Sequence, residues 1–386
     1  MPPIPNPTEP VTLTAPVSTR SYTLQNREEL RRVLETMDRS TGLTVVDRPE
    51  AVCLNPQART IHGDLRYSAV ALRQVCSLTV TGLGPLLHDL AGTRRRSVEA
   101  PGIHSVDDAV ATFNLIIRRR FPLLDGMQMV YNVDEGLIEG FVGGRYKRLP
   151  NIDLFESVEE AMRDVPGGAD LLSANLYGRL LLLRYVRSSA LFDAADSPDS
   201  SDEYRLGYYY INTEVGDGSV RAYPTLVREA DWSVCPIRTA AGGAVKHQGK
   251  DFHKRIAKLY ASVTSWSPET DYYTRRVATM REASLGFTTD ENPVARKRAI
   301  ALRLRSKDFT LGLAGRCVQF ALTQGADAGP AADAREARFR RNLYDLFCSM
   351  NAVSSSLPII LWERLGHAAY DVLTNRFNPL PRNASA

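Results

Sequence analysis

No uncharged apolar run in the 386-residue chain approaches the roughly 20 residues needed to span a bilayer, which excludes a helical membrane protein. Cysteine is scarce as well. Cys53, Cys76, Cys235, Cys317 and Cys348 are odd in number and widely spaced, with no CxxC pair and no Cys/His cluster. That pattern argues against a disulfide framework and against structural zinc, and fits buried thiols in a reducing compartment. The start, Met1-Pro2-Pro3-Ile4-Pro5, lacks the charged-then-apolar order of a secretory leader, so a cytoplasmic protein is expected. The net charge of +4, from 48 basic and 44 acidic residues, is too small to demand a nucleic-acid partner by itself.

Catalytic signatures are missing too. A phosphate-cradling loop needs GxxxxGK followed by Ser or Thr, and neither Gly143-Gly144 nor Gly242-Gly243 fits it. GxGxxG, HExxH, GxSxG and the kinase set are all absent. His247 and His253 lack both the i,i+4 spacing of a helical metal site and further ligands, so neither metal nor cofactor is expected. No reaction is indicated. If one exists at an unfamiliar site, Glu214, Asp217 and His247 are its acid/base candidates.

What is present is ordinary globular material, 44% apolar and 24% charged, enough for a sizeable core. Its charge is segregated: residues 271–350 carry 14 basic and 9 acidic side chains, whereas 193–203 is acidic. Residues 1–20 are rich in Pro and Thr and read as an extended arm. A helix should follow, capped by Asn26 with Glu29 at the capping-box position and Leu30, Val33, Leu34 and Met37 at helical spacing. A second begins near Ser68, with Leu72, Val75, Cys76 and Thr79 on one face. A third covers 105–121. Its terminal Arg118, Arg119 and Arg120 suit the negative end of the helix dipole, by about 0.3–1 kcal/mol each, or else form a phosphate-contacting patch.

Two apolar runs, 128–133 and 137–142, flank Asp134-Glu135-Gly136 and predict a hairpin with Gly136 at positive φ. Residues 180–187 form a strand or a short apolar helix. Residues 207–213 and 219–228 pair, with Pro224 placing the latter at an edge or bulge. Helices are predicted at 252–260, 295–307, 334–350 and 358–374, with a linker at 324–332. The fold class is α+β, a mixed or antiparallel sheet with flanking helices and a helical C-terminal third. It divides as an arm (1–20), an α+β core domain (21–262), a mainly helical region (263–379) and a tail (380–386). The loop 193–203 and the segments 1–20 and 376–386 should pack little against the core.

The candidate binding residues lie in two basic segments. Arg145, Tyr146, Lys147 and Arg148 follow a predicted strand, behind Gly143-Gly144, which permits close approach of a ligand. Alternation puts Arg145 and Lys147 on one side, Tyr146 and Arg148 on the other. Lys246, His247 and Lys250 form the second segment. Tyr204, Tyr208, Tyr209, Tyr210, Tyr223, Tyr272 and Tyr273 either stack single-stranded bases beside these cations or pack a sheet against helices.

Three segments resemble a family of phage/plasmid-like proteins of unknown function. The first is Gly140-Phe141-Val142-Gly143-Gly144-Arg145-Tyr146-Lys147-Arg148-Leu149-Pro150-Asn151-Ile152-Asp153-Leu154. The second is Gly207-Tyr208-Tyr209-Tyr210-Ile211-Asn212-Thr213-Glu214-Val215-Gly216-Asp217-Gly218-Ser219. The third comprises Trp232-Ser233-Val234-Cys235 with Lys246-His247. The likeness spans roughly residues 60–260. Thr213 stands where the family has Ser, and Pro236-Ile237 where it has Asn-Gly. The resemblance implies a setting in DNA replication, recombination or maintenance. The expected protein is a nucleic-acid-binding accessory, a homo-oligomer that holds single-stranded DNA or RNA. A self-assembling structural protein of a mobile element is the alternative.

Overall fold

The computed structural model describes residues 21–24, 26–53, 66–68, 70–72, 74–75, 106–195, 202–216, 218–286, 293–307, 309–324, 341–355, 357 and 359–380. The elements begin with β1 (Ser21–Leu24), α1 (Arg27–Arg39), β2 (Thr41–Val45), β3 (Arg66–Tyr67), α2 (Val106–Arg120), β4 (Gln128–Asn132) and β5 (Leu137–Val142). Then come α3 (Asn151–Arg163), β6 (Ala169–Tyr177), β7 (Leu180–Asp193), β8 (Glu203–Thr213), β9 (Ser219–Arg228), β10 (Val234–Pro236) and β11 (Gly243–Lys246). The chain continues as α4 (Phe252–Thr264), α5 (Thr270–Glu282), α6 (Pro293–Arg305), α7 (Leu311–Gln324), α8 (Leu343–Ser355) and α9 (Ile359–Leu373). The class is α+β, with most helices in the C-terminal third.

Local chemistry accounts for the first elements. The Asn26 side chain accepts the N–H groups of Glu28 and Glu29 at 2.9 and 3.1 Å, capping α1. Leu30 and Leu34 of that helix are buried. Ser68 Oγ likewise accepts Ala71 N–H at 3.1 Å, and 70–72 and 74–75 are helical. The β4–β5 hairpin forms as expected, with Gly136 at φ 59°. Asn132 Oδ1 tightens its turn by accepting from the N–H groups of both Asp134 and Glu135 at 3.0 Å.

Two sheets result. The smaller has the order β2-β4-β5-β3, antiparallel except for the parallel β3–β5 pair. On it pack Val110, Phe113 and Ile117 of α2, against Met129, Ile138 and Phe141. The larger runs β1-β6-β7-β8-β9, with β10 and β11 both pairing β9, and is antiparallel throughout. Residues 180–187, ambiguous in sequence, are strand. Leu181, Leu183 and Tyr185 face the main core and Leu182 and Val186 the opposite one, so a continuous apolar run suits a strand covered on both sides. Pro224 does not mark an edge. Its strand is paired on both sides, and Pro224 O accepts Ile237 N–H, which puts its missing donor in the interval between β10 and β11.

The main core is continuous from Leu24 and Leu30 through the sheet to Met350 and Leu373. The helical region 263–379 therefore shares a core with the sheet, and the division near residue 262 is one of composition. The other sheet face is covered by Ile359 and Trp362 of α9, packed on Leu182, Tyr209 and Ile211. Residues 376–380 also pack, contrary to expectation. Phe377 lies against the main core, its N–H donates to Asp371 O, and Lys307 Nζ sits 5.2 Å from its ring. The acidic loop is anchored at one end, since buried Asp202 accepts from Arg228 Nε and from Tyr344 O–H, each at 2.6 Å. The arm 1–20, the middle of that loop, residues 324–332 beyond Gln324, the start of the predicted 334–350 helix, and Cys76, Thr79 and Asp217 lie outside the described residues.

A second polar anchor ties α9 to the sheet. Glu363, 4% exposed, accepts the Tyr209 hydroxyl at 2.8 Å and pairs with Arg221. His367 Nε2 lies 3.5 Å from the same hydroxyl. Burial, and after it the Arg238 charge, hold the His367 imidazole down at about 4. The native state thus binds fewer protons than the unfolded chain between the ordinary histidine pKa of about 6.5 and that value. Stability should be full above this window and fall by about 3 kcal/mol as pH drops through it. Urea denaturation of the parent and of His367→Asn at pH 7 and pH 4.5 checks this. The variant should lose less stability on acidification, and an equal loss would remove His367 as the cause.

Candidate functional site

The two basic segments singled out in sequence lie side by side. Beyond β5 the chain makes a turn closed by Tyr146 N–H donating to Gly143 O at 2.8 Å. It then runs against the segment after β11: Tyr146 and Gln248 form an antiparallel bridge, and Lys147 N–H donates to His247 O at 2.7 Å. His247 Nδ1 in turn bonds Lys147 O at 2.9 Å, and Arg255 Nη2 donates to Lys246 O at 3.3 Å and to Gln248 O. Alternation along 145–148 follows the extended-chain expectation. Arg145 and Lys147 are exposed, whereas Tyr146 and Arg148 are turned inward.

Arg145, Lys147, Lys246 and Lys250 are exposed and have no carboxylate within ion-pair distance among the described residues. The start of α4 continues this surface. Its N-cap residue Asp251 makes no side-chain capping bond, its first turn has no acidic residue, and His253, Lys254 and Arg255 stand there exposed. A helix N-terminus carries about half a positive charge and favours anions. Cations in the first turn add to that positive potential, which strengthens the local demand for an anion.

The remaining candidates are structural partners of this surface. His247 is 2% exposed, with its ring 4.7 Å from that of Tyr146 and 5.1 Å from that of Phe252. Burial pushes its imidazole below the usual histidine range, leaving it neutral at pH 7. The Tyr146 hydroxyl donates to Thr213 O at 2.8 Å, and burial raises its phenol well above the usual range. Arg148 Nη2 donates to Asp38 Oδ1 at 2.7 Å and to Glu214 Oε2 at 3.1 Å. Burial opposes its charge, yet Glu214 and Asp38 hold Arg148 above its ordinary pKa. Its guanidinium is committed to carboxylates rather than to a ligand.

Glu214 is the centre of that network and is itself 2% exposed. Its Oε1 accepts Asn151 N–H at 2.5 Å, while Oε2 also accepts from Arg179 Nη1 at 3.2 Å. Arg179 reaches on to Met37 O at 3.1 Å and pairs with Glu139, whose carboxyl burial pushes up against the pull of Arg179. Asn212 Nδ2 donates to Leu149 O and Asn151 Oδ1, both at 2.8 Å. As acid/base candidates Glu214 and His247 are thus sealed from solvent. The tyrosine platform is sealed too: Tyr204, Tyr208, Tyr209 and Tyr210 are each at most 2% exposed. Sequence reasoning missed Asp38, Glu139 and Arg179. The only signals were a charged residue after Gly178 amid leucines, and the Asn-Thr-Glu segment itself.

Next to the turn opens a groove of about 530 Å³. Phe141, Val142 and Tyr146 line it together with Gly143, Gly144 and Gly216, and Arg145 and Gln248 stand at its polar side. Among the described residues no group of His, Cys, Asp and Glu is arranged to hold a metal ion. No helix there is long and apolar enough to cross a membrane. Comparisons with protein-family models, curated proteins and solved structures find no match. The resemblance to phage/plasmid-like proteins draws no support from them.

Removing the Glu214 charge leaves Arg148 and Arg179 undercompensated. Glu214→Gln should therefore cost about 3–5 kcal/mol, as for the loss of one partner from a buried ion pair. Urea denaturation monitored by circular dichroism measures it. A loss below about 1 kcal/mol would mean that water, not this carboxylate, satisfies the two guanidinium groups.

Proposed function

We propose that this protein is a nucleic-acid-binding accessory of the phage/plasmid-like kind, which grips single-stranded DNA or RNA by its phosphates. One observation carries the reading: Arg145, Lys147, Lys246 and Lys250 are exposed on two adjacent segments, none of them ion-paired among the described residues, beside an uncapped helix start that bears three more basic side chains. A strand laid across them meets cations at successive phosphates, and release of its counterions drives binding. Because Tyr208, Tyr209 and Tyr210 are buried, phosphate contact rather than a tyrosine platform supplies most of the affinity.

A second reading, self-association into a homo-oligomer, is favoured by a different surface. The α6–α7 hairpin exposes Val294, Leu302 and Leu311, at 71%, 45% and 46%. Such side chains on one helical hairpin suit contact with another copy. Sedimentation that depends on protein concentration and is abolished by Leu302→Glu with Leu311→Glu supports it.

The test of strand binding uses the full chain and a fluorescent oligothymidylate across a salt series. Arg145→Ala with Lys147→Ala should weaken binding and reduce the slope of log affinity against log salt by about 0.7 per lost contact. Both side chains are exposed, so the melting temperature should not change. Arg148→Ala is unsuitable, because it would strip Glu214 of a partner. Unchanged affinity and slope in the double variant, with the fold intact, would remove these loops from the site and leave the assembly reading.

A further inference from the structure

The groove beside the 143–146 turn has features that phosphate contact does not use. Its volume of about 530 Å³ falls within the roughly 300–1,000 Å³ usual for clefts that take small molecules. Phe141 and Val142, each 3% exposed and fixed by core packing, show the groove a small, rigid apolar edge. Tyr146 is held at its hydroxyl by Thr213 O and on one ring face by His247, so it too is fixed in place. Among the described residues no acidic side chain lines the groove, which disfavours cationic ligands. Exposed Arg145 and Gln248 offer a positive charge and a free side-chain amide.

The floor is glycine. A Cβ placed on Gly143 would meet nothing within 4 Å, and one on Gly144 would meet only Gly126 O, at 3.5 Å. Neither residue has positive φ, so neither is required by backbone conformation. What their small size preserves is open space. The closing of this turn uses Tyr146 N–H, and among the described residues the N–H groups of Gly144 and Arg145 have no backbone partner in it.

We infer that this groove takes one nucleotide unit, with the planar base against Phe141, Val142 and Tyr146 and the phosphate on Arg145 and the turn N–H groups. The inference rests on the strand-binding reading and deepens it, because an unstacked base would give the phosphate track a fixed register. The same chemistry would be met by a free nucleoside monophosphate, and the experiment separates the two sources.

Gly144→Leu and Gly143→Leu fill the groove while leaving every cation in place, and near-ultraviolet circular dichroism and melting should match the parent. With oligothymidylate, Gly144→Leu should bind about tenfold more weakly, the loss expected when one stacked base is displaced, with an unchanged salt slope. An abasic strand of equal length should bind the parent about as weakly as the natural strand binds Gly144→Leu. If both leucine variants bind the natural strand like the parent, or if the abasic strand binds the parent undiminished, the base is not held here and the groove assignment falls while the phosphate track stands. If the parent ignores strands but binds adenosine monophosphate, and Gly144→Leu abolishes that, the groove is a free-nucleotide site and the strand reading falls instead.

Discussion

The surface depends on one buried carboxylate. Glu214, at the end of β8, meets Arg148 from the 143–148 turn, Arg179 from the β6–β7 turn and the first amide of α3. Through those partners it reaches Asp38 and Met37 of α1 and Glu139 of β5. The elements so joined come from both sheets. Burying ions costs several kcal/mol each, so such a cluster is retained only if nearly every oxygen is matched by a donor. Here two guanidinium groups face three carboxylates and backbone groups, and the geometry that pairs them leaves the turn little freedom.

That constraint explains the division of labour along four consecutive residues. Tyr146 and Arg148 are spent on holding the turn down, through Thr213, Glu214 and Asp38. Arg145 and Lys147, pointing the other way, are left free. His247 does the same for the second segment: buried and neutral, it exchanges bonds with Lys147 and packs on Phe252, so Lys246 and Lys250 project from a rigid base. Preorganised cations lose less conformational entropy on binding an anion than cations on loose loops. The uncapped start of α4 lies directly beyond and adds the helix dipole to the same side.

What could be read in the sequence was what local chemistry decides. Asn26 ahead of an apolar stripe marks α1, and Asp-Glu-Gly between two apolar runs marks the hairpin, because caps and turns involve neighbours only. The alternation at 145–148 is equally local. The network was not legible: Arg148 and Asp38 are 110 positions apart and Arg148 and Glu214 are 66 apart, and no residue spacing encodes such pairs. The fate of Tyr208, Tyr209 and Tyr210 turned on helices covering both faces of β8, including α9 from the far end of the chain. Pro224 was misread because an interval between two short partner strands looks, in sequence, like an edge. Three helices went unforeseen: α3, whose N-cap Pro150 offers no side-chain capping signal, α5 with its β-branched and aromatic residues, and α7 with Gly312 and Gly315, the last two weak in intrinsic propensity and held by tertiary packing.

On the proposed reading, an anionic strand lies across the 143–148 and 246–250 segments and the first turn of α4. Amide hydrogen exchange of the full chain, with and without saturating oligothymidylate, tests it most directly. The account predicts slowed exchange in those three segments, with the buried amides around Glu214 already protected in the free protein. Protection confined to the α6–α7 hairpin, with these segments unchanged, would contradict it.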